Sequence, residues 1–114
     1  MKIREFFREN HPDLSKCGHL NFFQLCADGQ WVPVDPIGHA AIKAGFNFLE
    51  GEAKGGVIVW LTNTFSIPRE VLRTFYESWD LWYHPDWEEH TFNLSLKEAE
   101  LVEEDLYPSE GGLK

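Results

Sequence analysis

The chain is short of cations. Ten lysines and arginines face nineteen aspartates and glutamates, a formal net charge of −9. Binding to a nucleic-acid backbone is driven by cations that neutralise phosphates, so direct nucleic-acid binding is not expected. Cysteine is scarce too, with only Cys17 and Cys26. They read as half-buried free thiols rather than as a bridge. No apolar run is long enough to span a bilayer, and no membrane association is expected. The start of the chain mixes charges with apolar residues and lacks the unbroken apolar centre of a signal peptide, which points to the cytoplasm.

Catalytic signatures are lacking as well. Ser15, Ser66, Ser78, Ser95 and Ser109 have no G-x-S-x-G context. Gly55–Gly56 and Gly111–Gly112 lack the lysine and the Ser or Thr that a phosphate loop needs. Cys17, His19, Cys26 and His39 have none of the paired spacings that put two zinc ligands in one turn. His84 and His90 with Asp86 are a weaker metal set still. No metal and no cofactor is expected. A retaining glycosidase needs two carboxyls about 5 Å apart. Asp86, Glu88 or Glu89 could offer one, and nothing identifies the other.

What is present is an aromatic, acidic chain of 114 residues, 15% Phe, Trp and Tyr. That length gives one domain able to bury a core without staples, expected over 1–108 with a flexible tail at 109–114. Residues 57–61, Val-Ile-Val-Trp-Leu, form a β-branched apolar run that reads as a buried strand, broken by Thr62, Asn63 and Thr64. Ser66 then caps a helix with Pro68 in its first turn. Val71, Leu72, Phe75, Tyr76, Trp79, Trp82 and Tyr83 make its apolar stripe, with Trp79 and Trp82 assigned to the core. Pro85 ends the helix near Tyr83.

Residues 2–9 read as a short helix with Ile3, Phe6 and Phe7 on its inner side, and residues 13–18 as one further turn around Leu14. Residues 20–26 and 31–34 read as a hairpin around Asp28–Gly29, both turn residues having positive φ. Pro33 confines the second strand to an edge or an irregular one. Asp35 and Pro36 open a helix with Ile37, Ala40, Ala41 and Ala44 inside. Beyond it, two readings stand. The helix continues to Gly51, or it stops at Gly45 and residues 46–50 form a strand, the reading preferred here. Thr91–Leu94 reads as a short strand, and Ser95 with Glu98 as the capping box of a last helix whose inner face is Leu96, Ala99, Val102 and Leu106. The fold class is α+β: an antiparallel sheet of about three to five strands with the long amphipathic helix, about 66–83, packed on it.

Charge placement carries the functional reading. Asp86, Glu88, Glu89, Glu98, Glu100, Glu103, Glu104, Asp105 and Glu110 crowd the last quarter against Lys97 alone. Glu103, Glu104 and Asp105 fall in the last turn of the final helix, where acids oppose its dipole. Such acids either confer solubility or face a cationic partner. Trp87 lies past Pro85 among Asp86, Glu88 and Glu89. An aromatic face beside carboxylates suits lysine and arginine side chains, or a sugar ring. The alternative is a Trp87 folded onto the helix with solvated carboxylates around it.

These features favour a small non-enzymatic inhibitor, of the immunity, antitoxin or anti-defence kind, that neutralises a basic protein partner. Its surface is Asp86, Trp87, Glu88 and Glu89, extended by Glu100, Glu103, Glu104 and Asp105. One alternative is a small enzyme or ligand-binding domain with an aromatic pocket and His39, His84 or His90 as proton carrier. Another is a subunit of a larger complex that uses the strand near Trp31–Val34. Either a monomer or a homodimer is compatible with the sequence.

Overall fold

A computed structural model describes residues 1–18, 22–47 and 56–106. Within them the chain is an α+β domain of five α-helices and one two-stranded antiparallel hairpin. In chain order these are α1 (Ile3–Glu9), a 3₁₀ turn (Leu14–Lys16), β1 (Phe23–Leu25), β2 (Trp31–Pro33), α2 (Pro36–Lys43), α3 (Val57–Phe65), α4 (Arg69–Trp82) and α5 (Glu88–Leu106). No helix among the described residues is long and apolar enough to cross a membrane.

Helix α4 is the amphipathic helix that the spacing predicts. Val71, Leu72, Phe75, Ser78 and Trp79 are buried at helical intervals. Its start differs from expectation. Ser66 does not cap it. Ser66 is the left-handed C-cap of α3, with φ 58°, and Pro68 occupies the N-cap position of α4.

Residues 57–61 are the main correction: they are helical, the first half of α3. A short apolar run cannot by itself separate a buried strand from a buried helix. Here Val57, Leu61 and Phe65 recur every fourth residue, the first two buried and Phe65 half-buried. Thr62, Asn63 and Thr64 do not end the element; Asn63 and Thr64 lie on its exposed face.

Thr91–Leu94 is also helical, and Ser95 lies mid-helix rather than at a cap. Thr91, Phe92, Ser95, Leu96, Ala99 and Glu103 form one buried stripe of α5. Two of its members are hydroxyl residues and one is a glutamate, so the stripe is masked in a hydrophobicity pattern. With residues 57–61 and 91–94 in helices, the sheet among the described residues is a single hairpin. A strand at 46–50 and the tail at 109–114 fall on or extend into residues outside the described ones.

The hairpin has the register Phe23↔Pro33, Gln24↔Val32 and Leu25↔Trp31. Its loop is longer than a two-residue turn. Gly29 N–H donates to Cys26 O, Cys26 N–H donates to Gln30 O, and Asp28 Oδ1 accepts from Gln30 N–H. Only Gly29 has positive φ, at 83°, which suits a type I turn closed by a left-handed glycine.

Helix α2 begins at Asp35, whose Oδ1 accepts from Gly38 N–H at 2.8 Å. It stops where the glycine reading places the stop. Gly45 N–H donates to Ile42 O and Phe46 N–H to Ala41 O, with Gly45 at φ 104°. Gly38 is the tightest point of the fold: a Cβ there falls 2.1 Å from the carbonyl oxygen of Phe22. That contact is backbone and cannot rotate away. Gly38→Ala should therefore push the hairpin off α2 and lower stability by about 1–3 kcal/mol. Urea unfolding reads this. Gly18→Ala, whose Cβ meets Val34 Cγ1 at an ordinary 3.5 Å, should stay within about 0.5 kcal/mol.

The core is a chain of rings. Phe92 packs on Phe7 (5.1 Å between centroids), Phe7 on Phe6 (5.4 Å), and Phe6 on Phe65 (5.3 Å). Phe65 meets Trp60 (5.6 Å), Trp60 meets Phe46 (5.2 Å), and Phe46 stacks on Phe23 (5.5 Å). This path links α5, α1, α3 and the hairpin. Helices α4 and α5 form an antiparallel pair beside it, with Phe75 against both Phe7 (4.8 Å) and Phe92 (5.5 Å).

Candidate functional site

Helix α4 ends at Trp82 and α5 starts at Glu88, so residues 81–90 form a sharp corner. The corner is held by backbone and side-chain bonds. Trp87 N–H donates to His84 O at 2.9 Å, and Asp86 N–H donates to His84 Nδ1 at 3.2 Å. Thr91 N–H donates to Trp87 O, and Thr91 Oγ1 donates to Trp82 O. Trp87 is thereby fixed one turn from the carbonyl of Trp82.

At this corner three large apolar side chains face outward. Leu81 is 72% exposed, Trp82 52% and Trp87 62%. Assigning Trp82 to the core is thus corrected. It lies three residues after Trp79, so periodicity places it on the inner face. The helix ends there, however, and the chain turns back without covering it. Trp87 does not fold onto the helix core; its ring lies 5.3 Å from His84 and 6.5 Å from His90. Asp86 and Glu89 are exposed beside it and Glu88 is half-exposed. Glu88 and Glu89 also sit in the first turn of α5, where negative charge complements the helix dipole.

The four remaining acids of the expected surface lie elsewhere. A helix rises 1.5 Å per residue, so Glu104 and Asp105 stand about 25 Å along α5 from Glu88. Both are exposed. Glu100 is bound to Arg4 through two bonds of 2.7 Å, a bidentate pair. Glu103 is 4% exposed, and its Oε2 accepts from Ile3 N–H at 2.8 Å. It is a surface residue only in the sequence. Its charge opposes the dipole of α5 but complements the N-terminus of α1. Folding therefore does use one acid of this run.

The histidines divide by role. His84 holds the corner as a hydrogen-bond acceptor. His90 sits on the exposed side of α5. His39 is half-buried on α2, its Nε2 has no hydrogen-bond partner among the described residues, and burial lowers its pKa.

Cys17 and Cys26 are free thiols. Cys17 is buried, and its thiol is pushed up to about 12, by burial first and then by Asp35, Asp13 and Glu88. Such a thiol is protonated at neutral pH and is not a nucleophile. Segment 17–18 is pinned to α4 instead: Trp79 Nε1–H donates to Gly18 O at 2.9 Å and Tyr83 O–H to Cys17 O at 3.2 Å. Among the described residues no three His, Cys, Asp or Glu side chains are grouped to hold a metal ion. His19, one of the four zinc candidates, lies outside them.

Among the described residues Asp35 is the one buried carboxyl with a large shift, raised to about 8. Burial is the main cause. The Gly38 N–H bond opposes it, and the negative charge of Asp80 adds to it. The unfolded chain binds the Asp35 proton only below about pH 4, whereas the folded chain holds it to about pH 8. This contribution to stability is thus complete below pH 4 and is lost as pH rises to 8. Asp35→Asn keeps a cap acceptor and removes the titration. Urea unfolding from pH 5 to 8.5 should show the difference in stability between parent and variant shifting steadily in favour of Asn. A pH-independent difference contradicts the assignment.

Comparison of the chain with protein-family models, with curated proteins and with solved structures gives no match.

Proposed function

We propose that the protein is a non-enzymatic binding protein that docks and inhibits a basic partner protein on the α4–α5 corner. The carrying observation is the coincidence of Leu81, Trp82 and Trp87, all outward, with Asp86, Glu88 and Glu89 around them. Exposed apolar residues scattered singly need no explanation, but several gathered at one corner beside charged residues suit an interaction site. Aromatic anchors at the centre and carboxylates at the rim suit a partner rich in lysine and arginine. The excess of negative charge over the whole chain adds long-range steering of such a partner. With Glu103 buried and Glu100 paired, the proposed docking surface is centred on the corner. Glu104 and Asp105 are left to steering.

The test is a photo-crosslinking amino acid at position 89, on the rim beside Trp87, with the same group at position 77 on the outer face of α4 as control. In the cells that make the protein, the corner probe should capture a strongly basic protein that the control does not. The association rate of that pair should fall steeply with ionic strength. Capture of an acidic or neutral protein, or a rate indifferent to salt, counts against the proposal.

A further inference from the structure

Helix α1 runs antiparallel to α5, as the contacts Ile3–Glu103, Arg4–Glu100 and Phe7–Phe92 show. Between them lies an open trough with hollows of about 240 and 380 Å³ that share Arg4 and Asn93. One rim carries Arg4, Arg8 and His11, spaced i, i+4, i+7 along α1 and just beyond it. The other carries His90, Asn93 and Lys97, spaced i, i+3, i+7 along α5. Helical periodicity puts each set on one flank. The floor is Phe7, Phe92 and Leu96. Among the described residues no Asp or Glu lines either hollow, and the nearest carboxylate to Arg4 is its partner Glu100. In a chain of net charge −9 this is an inverted patch.

Its cations are available. Arg8 and Lys97 have no ion-pair partner among the described residues. Arg4 is held by Glu100 at one end, which fixes its guanidinium at the mouth. Arg8 lines one hollow and Lys97 the other, each without a carboxylate to neutralise it, an arrangement that folding alone does not require.

We propose that the α1–α5 trough binds a small phosphate-bearing anion. The Arg8 guanidinium fork matches phosphate oxygens in pairs, Lys97 supplies a point charge, and Asn93 supplies a neutral amide donor. The ends of the trough limit the length of the ligand. Glu89 and Asp13 stand past His11, and Glu104 lies one turn beyond Glu100. A nucleic-acid strand continuing past either end meets these carboxylates, so a compact anion is favoured over a polymer. The site stands independently of the corner.

The experiment is a titration of the full chain with tripolyphosphate at constant ionic strength, followed by amide NMR shifts and calorimetry. Saturable shifts are expected at residues 4–11 and 90–97. Arg8→Glu and Lys97→Glu should each weaken binding about tenfold, one charge-assisted bond being lost and a charge reversed. Both residues are exposed, and circular dichroism verifies their folding. Arg73→Glu, on α4, should change nothing. Shifts that do not saturate by about 10 mM, that spread to α4, or that survive both reversals overturn the proposal. So does tighter binding of a hexaglutamate peptide at the same residues, which would make the trough a peptide site.

Discussion

Trp79→Ala should lower the stability of the fold by about 3–5 kcal/mol, and Trp82→Ala by less than about 1. Both tryptophans lie on α4, three residues apart, and the sequence pattern treats them alike. The structure separates them. Trp79 is fully buried, packs on Tyr83 with centroids 5.1 Å apart, and ties Gly18 to the helix through its indole N–H. Truncation removes a large buried area, leaves a cavity, and orphans the Gly18 carbonyl. For a domain whose total stability is about 5–15 kcal/mol, that is a large fraction. Trp79→Phe isolates the hydrogen bond, with about 1–3 kcal/mol expected for a carbonyl left without its donor. Urea unfolding followed by circular dichroism measures all three. Equal losses for Trp79→Ala and Trp82→Ala would show that the corner is covered and that Trp82 is not available to a partner.

The second large effect is on binding. With the partner captured through position 89, Trp87→Ala should raise Kd about 30-fold or more, the behaviour of a central aromatic anchor. Glu88→Lys with Glu89→Lys should act mainly on the association rate, because rim charges steer rather than hold. Glu104→Lys with Asp105→Lys, about 25 Å away along the same helix, should alter the rate modestly and leave dissociation unchanged. Surface plasmon resonance at two salt concentrations separates these outcomes. The variants change exposed or half-exposed positions, so stability should move little.

How far the sequence carried these conclusions depended on what each residue could signal. Helix α4 was legible because its stripe is apolar except for Ser78 and its outer face is charged. Asp35–Pro36 and Gly45 were legible because caps and left-handed stops need particular residues. The α+β class followed from these and from the hairpin. The strand assigned to 57–61 failed because β-branched apolar residues fill buried helices as readily as buried strands. The deciding signal was Phe65, four residues beyond Leu61, across a polar stretch taken for a break. Helix α5 was cut short because Thr91 and Ser95 occupy core positions, and Ser95 followed by Glu98 imitates a cap.

The acidic surface was only partly visible. Clustering of Asp86, Glu88 and Glu89 around Trp87 could be read from adjacency alone, since one short loop holds them. That Glu103 caps α1 depends on a contact across 100 residues, and that Glu100 pairs with Arg4 on one across 96. No local pattern encodes either. The exposure of Leu81 and Trp82 likewise depends on where α5 turns away.

The central claim is the position of the docking surface, and the most direct measurement is the amide-shift footprint of the bound partner on the labelled chain. The account predicts perturbations centred on residues 81–90, strongest at Leu81, Trp82 and Trp87. A footprint centred on Glu104 and Asp105, or on the hairpin around Trp31, contradicts it.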